Sequence, residues 1–186
     1  MPHNDRFRRP AATHAFGQGR QVRAAGVLQE DVGGESPRTA CGGVRTMVSI
    51  REHGWLASAA ATVWEVVGSP SAITEWAPSI ASAVMDGSLR TLTLKRGGEI
   101  VEEIVTLDDE LRRIQYAVRS GLPVTAHLAT VDVIPTGESS CLVLYSTDLS
   151  PDGLAAPIAR SMQNSISALV ERFGAYDDSS NRESEK

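Results

Sequence analysis

The sequence predicts an α+β domain in which a curved antiparallel sheet of about seven strands wraps around one long C-terminal helix. Three observations predict it: two short helical segments after a first strand, a central run of β-rich segments separated by compact turns, and a final amphipathic stretch with helical spacing. With 186 residues and 41% hydrophobic content, the chain is long enough for one such domain with one core.

The first elements are a strand and two short helices. Residues 47–56 alternate in the manner of a strand, and Ser58 then suits an N-cap. One apolar face follows at helical spacing, made by Ala60, Val63, Trp64 and Val67. Gly68 closes this helix, and Ser69 before a proline predicts a second one that ends near Trp76. Both tryptophans are expected to fasten the short helices to the sheet.

The centre of the chain is predicted to be an antiparallel meander. Its segments have the β-branched, alternating character of a sheet with one covered face. Five turn sequences separate them: MDGS at 85–88, KRGG at 95–98, LDDE at 107–110, SGLP at 120–123 and PTGE at 135–138.

The last patterned element is predicted to be the long helix that covers the sheet. Asp152 suits its N-cap and Gly174 its end. Between them runs one apolar stripe, expected to be core, of Ile158, Met162, Ile166, Leu169 and Phe173. Domains with this layout tend to leave a cavity of ~300 to 1,000 Å³ between sheet and helix.

Both ends of the chain lack such patterns. Residues 1–46 are rich in Gly, Arg, Ala and Pro, bury too little apolar surface to offset ordering entropy, and are expected to be disordered. An Arg-rich targeting or nucleic-acid arm is the alternative, although acids and glycines interrupt the arginines. Met47 is also a candidate for the true translation start. Residues 176–186 are expected to form a disordered tail, which leaves 47–175 as the domain.

Composition restricts the partners and the setting. The formal charge of −5 gives no reason to expect nucleic acid as a partner. Cys41 and Cys141 form neither a disulfide framework nor a metal-ligand spacing, so a cytoplasmic protein without metal or other cofactor is expected. No apolar run approaches the ~18 residues needed to span a bilayer, so stable membrane insertion is not expected.

Five segments, taken in order, carry a family resemblance. They are AATVWEVVGSPSAITEWAPSI, GSLRTLTL, EEIVTLDDELRRIQY, LPVTAHLATVDV and the final amphipathic helix. Together they resemble the SRPBCC or START-like superfamily with its helix-grip fold, in particular the polyketide cyclase/dehydrase and lipid-transport branch. The resemblance covers about residues 48–175. It implies that a small hydrophobic molecule is held between the sheet and the last helix.

Two adjacent glutamates in a predicted strand raise the question of which one points inward. Glu102 and Glu103 face opposite sides, each among apolar residues, and alternation places Thr106 on the side of Glu102. Periodicity does not choose between them. In similar proteins, such as the plant abscisic-acid receptors, a cavity Glu lies six positions before the first Asp of the hairpin turn, which corresponds to Glu102 and Asp108.

A cavity carboxylate among apolar groups would have a raised pKa or be held by polar partners, and either would equip it to bind the polar end of a ligand. The alternative for Glu102 is a partly hydrated strand residue without a ligand role. His127 lies where many relatives carry an inward tyrosine, so a polar aromatic group is kept with different proton chemistry. A purely structural histidine is the alternative.

Further ligand contacts are expected from Tyr145, Leu92, Leu122, Met162 and Ile166. Tyr116 is a second polar-tipped candidate, with core packing as its expected role. Similar hormone receptors place a cavity lysine after the second helix, but Ala81 and Ser82 stand there in this sequence. Recognition of a carboxylate by that route is therefore not expected. The resemblance also implies a mobile entrance at residues 120–124.

Two functions fit these features. The first is noncatalytic binding or carriage of a lipid, polyketide or aromatic metabolite. The second is a cofactor-independent polyketide cyclase or dehydratase with Glu102 and His127 as acid and base. Binding is favoured because the sequence shows no Ser/His/Asp set, metal cluster or phosphate-binding glycine loop. An interaction domain without a cavity is disfavoured by small residues at Ala81, Ala83, Ala117, Ala126 and Ala129.

Overall fold

A computed structural model describes residues 47–177. The predictions for residues 1–46 and for most of the C-terminal tail lie outside the described residues. Within them, a seven-stranded antiparallel sheet, two short helical segments and one long helix form the predicted α+β arrangement.

The elements follow one another in the predicted order. They are β1 (Val48–Leu56), α1 (Ala60–Val67), a 3-10 helix (Pro70–Glu75), β2 (Ile80–Asp86), β3 (Leu89–Leu94), β4 (Glu99–Asp108), β5 (Arg113–Ser120), β6 (Ala126–Gly137), β7 (Ser140–Ser150), a 3-10 turn (Asp152–Leu154) and α2 (Ala155–Phe173). The sheet order is β1-β7-β6-β5-β4-β3-β2, so the chain meanders from β2 to β7 and β1 pairs with the last strand. Each predicted turn falls at a junction between strands, but only KRGG lies wholly between two of them; the other four overlap the end of the preceding strand, PTGE by three residues.

Two of the predicted helix caps are wrong. The N-cap of α1 is Ala59 rather than Ser58, and it makes no side-chain capping hydrogen bond. Asp152 belongs to the separate 3-10 turn, so α2 starts after Leu154 instead. The second short helix ends at Trp76 as predicted but is a 3-10 helix. The predicted stops at Gly68 and Gly174 are confirmed.

Close approach to β1 fixes the position of α2. A Cβ atom at Gly54 would lie 2.8 Å from Cγ2 of Ile166 and 3.2 Å from Cγ2 of Val170. Glycine therefore lets helix and strand pack more closely than any other residue would. Of the predicted apolar stripe, the three central residues are buried and the outer two are partly buried, at Met162, Ile166 and Leu169 and at Ile158 and Phe173 respectively.

The two tryptophans hold the short helices as predicted. The indole N–H of Trp64 on α1 donates to Oδ1 of Asp109, in the turn between β4 and β5, at 2.9 Å. Trp76 packs edge-on against Tyr145 of β7, with ring centroids 6.1 Å apart. No helix among residues 47–177 has the length and apolar character that crossing a membrane requires.

Candidate functional site

A cavity of about 390 Å³ lies between the sheet and the N-terminal half of α2. This volume is within the range of small-molecule sites, ~300 to 1,000 Å³. Six of the seven residues predicted to contact a ligand line its wall: Leu92, Glu102, Leu122, His127, Tyr145 and Met162. Ile166 does not, because it lies one turn further along α2, in the core against Gly54. The ligand contacts themselves stay a prediction.

The strand pairing separates the two adjacent glutamates. Glu102 on β4 is opposite Arg90 on β3, on the cavity side, and is 6% exposed. Glu103 points to the other face and forms an ion pair with Arg119 of β5. The glutamate chosen by family resemblance is therefore the one inside.

Arg90 is the main feature of the site that sequence reasoning missed. Its side chain is 1% exposed and donates from Nε at 3.0 Å and from Nη2 at 2.6 Å to a single oxygen, Oε2 of Glu102. Nη1 donates to the carbonyl oxygen of Pro70 at 3.0 Å, and Cζ lies 4.8 Å from the ring centre of Tyr116. A buried pair of this kind fixes the carboxylate, because each charge would otherwise be buried without a partner.

A signal for Arg90 was present in the sequence. Arg90 and Glu102 are equally distant from Arg96 in the β3–β4 turn, so a regular hairpin places them opposite each other. Arg90 also alternates in phase with Leu92, which marks it as inward. A buried cation is thus present on the neighbouring strand β3, already paired with Glu102.

The second oxygen of Glu102 has no hydrogen-bond partner among the described residues. Both arginine bonds go to Oε2, and Oε1 accepts no hydrogen bond from any residue between 47 and 177. Burial raises the pKa of Glu102, and the neighbouring Arg90 charge and hydrogen bonds oppose that rise. An oriented carboxylate with one free oxygen can accept a hydrogen bond from a ligand hydroxyl or amine.

Two tyrosines complete the polar part of the wall. The hydroxyls of Tyr116 on β5 and Tyr145 on β7 are hydrogen-bonded to each other. Burial raises the pKa of Tyr145 to about 12 and that of Tyr116 well above its ordinary value, so both remain neutral. Tyr116 is buried as expected, but it also lines the cavity.

Sequence reasoning also missed two hydroxyl residues of the wall. Thr147 on β7 and Ser165 on α2 are buried and line the cavity. Oγ1 of Thr147 is buried without a hydrogen-bond partner in the described part of the chain. Alternation along β7 could have placed Thr147 on the side of Tyr145, but not have shown that its hydroxyl is unpaired.

A bulge in β4 changes the predicted side of Thr106. The register shifts between Ile104 and Thr106, so Thr106 is opposite Gln115 and donates from Oγ1 to Oε1 of that residue at 2.9 Å. Gln115 in turn donates to Thr130 at 2.9 Å. Thr106 therefore leaves the side of Glu102, because the bulge inserts one extra residue and reverses the alternation beyond it.

His127 lies on β6 beside Val118 of β5 and has a defined tautomer. The backbone N–H of Val118 donates to Nδ1 at 3.3 Å, so the neutral ring carries its proton on Nε2. Burial lowers the pKa of His127, which favours this neutral form. Backbone pairing between β5 and β6 covers only residues 113–116 of β5, and the imidazole provides an acceptor beyond that point.

The loop after β5 contributes Leu122 to the wall. The preceding Gly121 has φ +90°, and a Cβ there would lie 2.1 Å from the carbonyl oxygen of Glu99. Only glycine fits this close approach, which fixes the start of the loop against β4. The predicted mobility of residues 120–124 stays a prediction.

The family model described as polyketide cyclase/dehydrase and lipid transport matches residues 47–175. No curated protein sequence matches the chain. An uncharacterized protein from Bacillus thuringiensis superposes with TM-score 0.64 at 22% identity, covering 68% of this chain and 98% of that one. A Thermobifida fusca protein solved by solution NMR gives 0.60 at 28%, covering 68% and 93%.

The same fold is found in an aromatase/cyclase. The Zhui aromatase/cyclase from Streptomyces sp. R1128 superposes with TM-score 0.60 at 15% identity, covering 68% of this chain and 93% of that one. At this identity the likeness shows the fold alone. The match over residues 47–175 shows that the chain belongs to the polyketide cyclase/dehydrase and lipid-transport family, and its seven-stranded sheet with one long helix is the predicted helix-grip fold.

Proposed function

We propose that the domain binds and carries a small, largely apolar molecule that has at least one hydrogen-bond donor. The observation that carries this proposal is the cavity of about 390 Å³ whose wall includes the buried residue Glu102, with one carboxylate oxygen that has no hydrogen-bond partner among residues 47–177. Apolar wall residues such as Leu92 and Met162 would stabilise a bound apolar guest, by ~25 cal/mol for each Å² of apolar surface removed from water.

The polar groups of the wall favour a guest with a hydroxyl or amine over a pure hydrocarbon. Oε1 of Glu102 and Oγ1 of Thr147 can each accept a hydrogen bond, and neither atom has a partner among the described residues. A guest without a donor would leave the carboxylate oxygen desolvated, which costs about 1 to 3 kcal/mol for a polar group. A phenol, an enol or an alcohol satisfies it.

A neutral fluorescent probe tests whether the cavity binds guests. N-phenyl-1-naphthylamine has an apolar body and one N–H donor, and its emission rises when it leaves water. We expect saturable binding to the wild type and an affinity loss of about ten-fold or more for Ser165→Phe, which fills the cavity with a ring. Ser167→Phe, two residues along the same helix but exposed, is the matched control and should bind normally.

Absence of saturable probe binding, or equal binding by the two phenylalanine variants, would contradict the cavity as the binding site. Native mass spectrometry of protein purified from its own host then identifies the guest. We expect an additional mass that Ser165→Phe loses and Ser167→Phe keeps.

A second candidate function is a cofactor-independent cyclase or dehydratase. The observation in its favour is that Glu102, with a raised pKa, and His127, with a neutral Nε2–H tautomer, line the same cavity. The family includes cyclases and dehydrases in its description. A carboxylate and an imidazole across one apolar space can exchange protons with an enolisable carbon or a leaving hydroxyl.

Two substitutions distinguish the candidates once a guest is known. Glu102→Gln keeps an acceptor oxygen for Arg90 but removes the proton acceptor, and His127→Phe keeps a ring without a titrating nitrogen. Turnover by the wild type that both variants lose, with guest binding retained, supports the enzyme. Turnover that never exceeds the rate in solution supports the carrier.

A further inference from the structure

A second space, which the proposed function does not use, adjoins the cavity. This recess of about 700 Å³ lies between the β3–β4 turn and the first turns of α2. Recess and cavity share five wall residues: Ser79, Leu94, Arg96, Pro157 and Ser161. The two spaces are therefore adjacent, and a guest longer than the cavity would meet the recess at these shared residues.

All of the charged residues that line the recess are cations. Lys95 and Arg96 come from the β3–β4 turn and Arg160 from α2, and no acidic residue lines it. None of the three has an ion-pair partner within residues 47–177, whereas Arg90, Arg113, Arg119 and Arg172 all do.

Three cations without ion-pair partners among the described residues in one recess are unexpected in a domain that has more acidic than basic side chains. Residues 47–177 hold nine basic and sixteen acidic side chains. Most surface cations of such a domain would be expected to find carboxylates nearby. A concave surface lined by one sign of charge instead raises the local concentration of the opposite ion.

The elements that bear the cations are fixed. The backbone N–H of Lys95 donates to the carbonyl oxygen of Ser79 at 2.9 Å, which ties the turn to the start of β2. Two further bonds close the turn, from Gly97 N–H to the Leu94 carbonyl at 2.9 Å and from Leu94 N–H to the Gly98 carbonyl at 3.0 Å. Arg160 stands on the regular part of a helix of 19 residues. The recess thus presents its charges from two rigid sides.

The inner end of the cavity has the opposite preference. The Arg90 charge is already neutralised by Glu102, whose free Oε1 repels a second anion. A guest with a donor group and an anionic group therefore has one favourable orientation, with the donor inside at Glu102 and the anion outside at the recess.

We infer that the recess binds the anionic head, a carboxylate or a phosphate, of an amphiphile whose apolar body occupies the cavity. This inference rests on the proposed binding function and adds the charge class and orientation of the guest. Arginine side chains suit either head, since a guanidinium donates two parallel hydrogen bonds to carboxylate or phosphate oxygens.

Chain-matched amphiphiles test the inference. Dodecanoate, dodecyl phosphate and neutral dodecanol, each kept below its aggregation limit, compete with N-phenyl-1-naphthylamine at about pH 8. We expect at least one anionic probe to bind about ten-fold more tightly than dodecanol at low salt, and this preference to shrink at about 0.5 M salt because exposed charges are screened.

Paired variants locate the effect. Lys95→Gln/Arg160→Gln changes the two recess cations that do not line the cavity, and should reduce the anionic preference to about three-fold or less and leave dodecanol binding nearly unchanged. Arg51→Gln/Arg112→Gln removes the same charge from two other arginines without an ion-pair partner in the described region, and should keep the preference.

The outcomes separate this inference from the proposed function. If dodecanol and both anions bind equally, or if the Arg51/Arg112 variant loses the preference as much as the Lys95/Arg160 variant, the recess is not an anion site and the cavity still binds guests. If no amphiphile displaces the probe and the probe itself does not bind, the proposed function fails together with the inference.

Discussion

The two ends of the space beneath the sheet differ, although the same helix covers both. At one end, the C-terminal half of α2 packs with β1, β6, β7 and α1 into a solid core whose central residues are fully buried: Leu56, Val63, Val131, Val133, Val143 and Leu169. At the other end, its N-terminal half stands away from the sheet over a cavity of about 390 Å³.

Residue types account for the difference. The filled end has apolar side chains of similar size, and Gly54 brings helix and strand together there. At the cavity end, Arg90, Glu102 and two tyrosines stand in place of apolar core residues. Arg90 pairs with Glu102, and the two tyrosine hydroxyls are hydrogen-bonded to each other. One end therefore supplies stability to a domain whose other end is free to hold a guest.

The largest expected effect comes from breaking the buried ion pair at the cavity end. Glu102→Leu should lower the free energy of unfolding by about 3 to 5 kcal/mol, because Arg90 is left buried and unpaired. Glu103→Leu, on the outer face of the same strand, is the matched control and should cost less than about 1 kcal/mol, since its pair with Arg119 is partly exposed. Urea denaturation of each variant measures both values.

A double variant shows whether the unpaired charge causes this loss. Arg90→Met/Glu102→Leu removes both charges at once and should recover most of the stability lost in Glu102→Leu. A double variant as unstable as Glu102→Leu would mean that packing rather than charge holds this end together.

Replacing one leucine by alanine at each end compares how tightly the two ends are packed. Leu169→Ala in the solid core should cost about 4 kcal/mol, whereas Leu92→Ala on the cavity wall should cost about 2 kcal/mol, because part of the Leu92 surface already lacks packing partners. Guanidinium denaturation provides the comparison. Equal costs would show that the cavity end is as tightly packed as the core.

The close approach at Gly54 should have a smaller effect. Gly54→Ala places a methyl group only 2.8 Å from Cγ2 of Ile166, so helix and strand must separate slightly, at a cost of about 1 to 3 kcal/mol. Binding of N-phenyl-1-naphthylamine should stay within about two-fold of the wild type, because Gly54 does not line the cavity. A large loss of binding would show that the two ends are coupled through α2.

How well the sequence predicts each end depends on whether the interactions that form it are local or join distant parts of the chain. Alternation and turn residues predict the strands, and the apolar stripe of α2 predicts its buried face, because these are local patterns. The bulge that turns Thr106 away from the cavity has no local signal, since it depends on how β4 pairs with β5. The cap predicted at Asp152 fails because three residues form a separate 3-10 turn there.

The candidate site is predicted less fully than the fold. Family resemblance selected Glu102, and hairpin symmetry would have added Arg90. The sequence does not predict that the three recess cations lie together, because Arg160 meets Lys95 and Arg96 only after α2 folds back across the sheet. Ile166 was assigned to the site because a helical stripe shows which face is buried, but not where along that face the core gives way to a cavity.

The smallest expected effect is a pH dependence at the rim of the cavity end. Burial lowers the folded-state pKa of His127 below its ordinary value of 6.5, so the unfolded chain binds a proton more readily than the folded one. The stability that neutral His127 contributes is therefore complete above about pH 6.5 and is lost as pH falls toward the lower folded-state pKa. His127→Gln removes the titrating group and keeps an acceptor for the Val118 N–H.

The comparison of wild type and His127→Gln isolates this contribution, because Glu102 and the other titrating groups are common to both. Urea denaturation at about pH 7.5 and 5.5 should show the wild type losing more stability than the variant on acidification. A wild type that loses no more than the variant would mean that water reaches the imidazole freely. The β5–β6 gap that His127 bridges would then be open to solvent, and the cavity end would be less enclosed than its lining residues indicate.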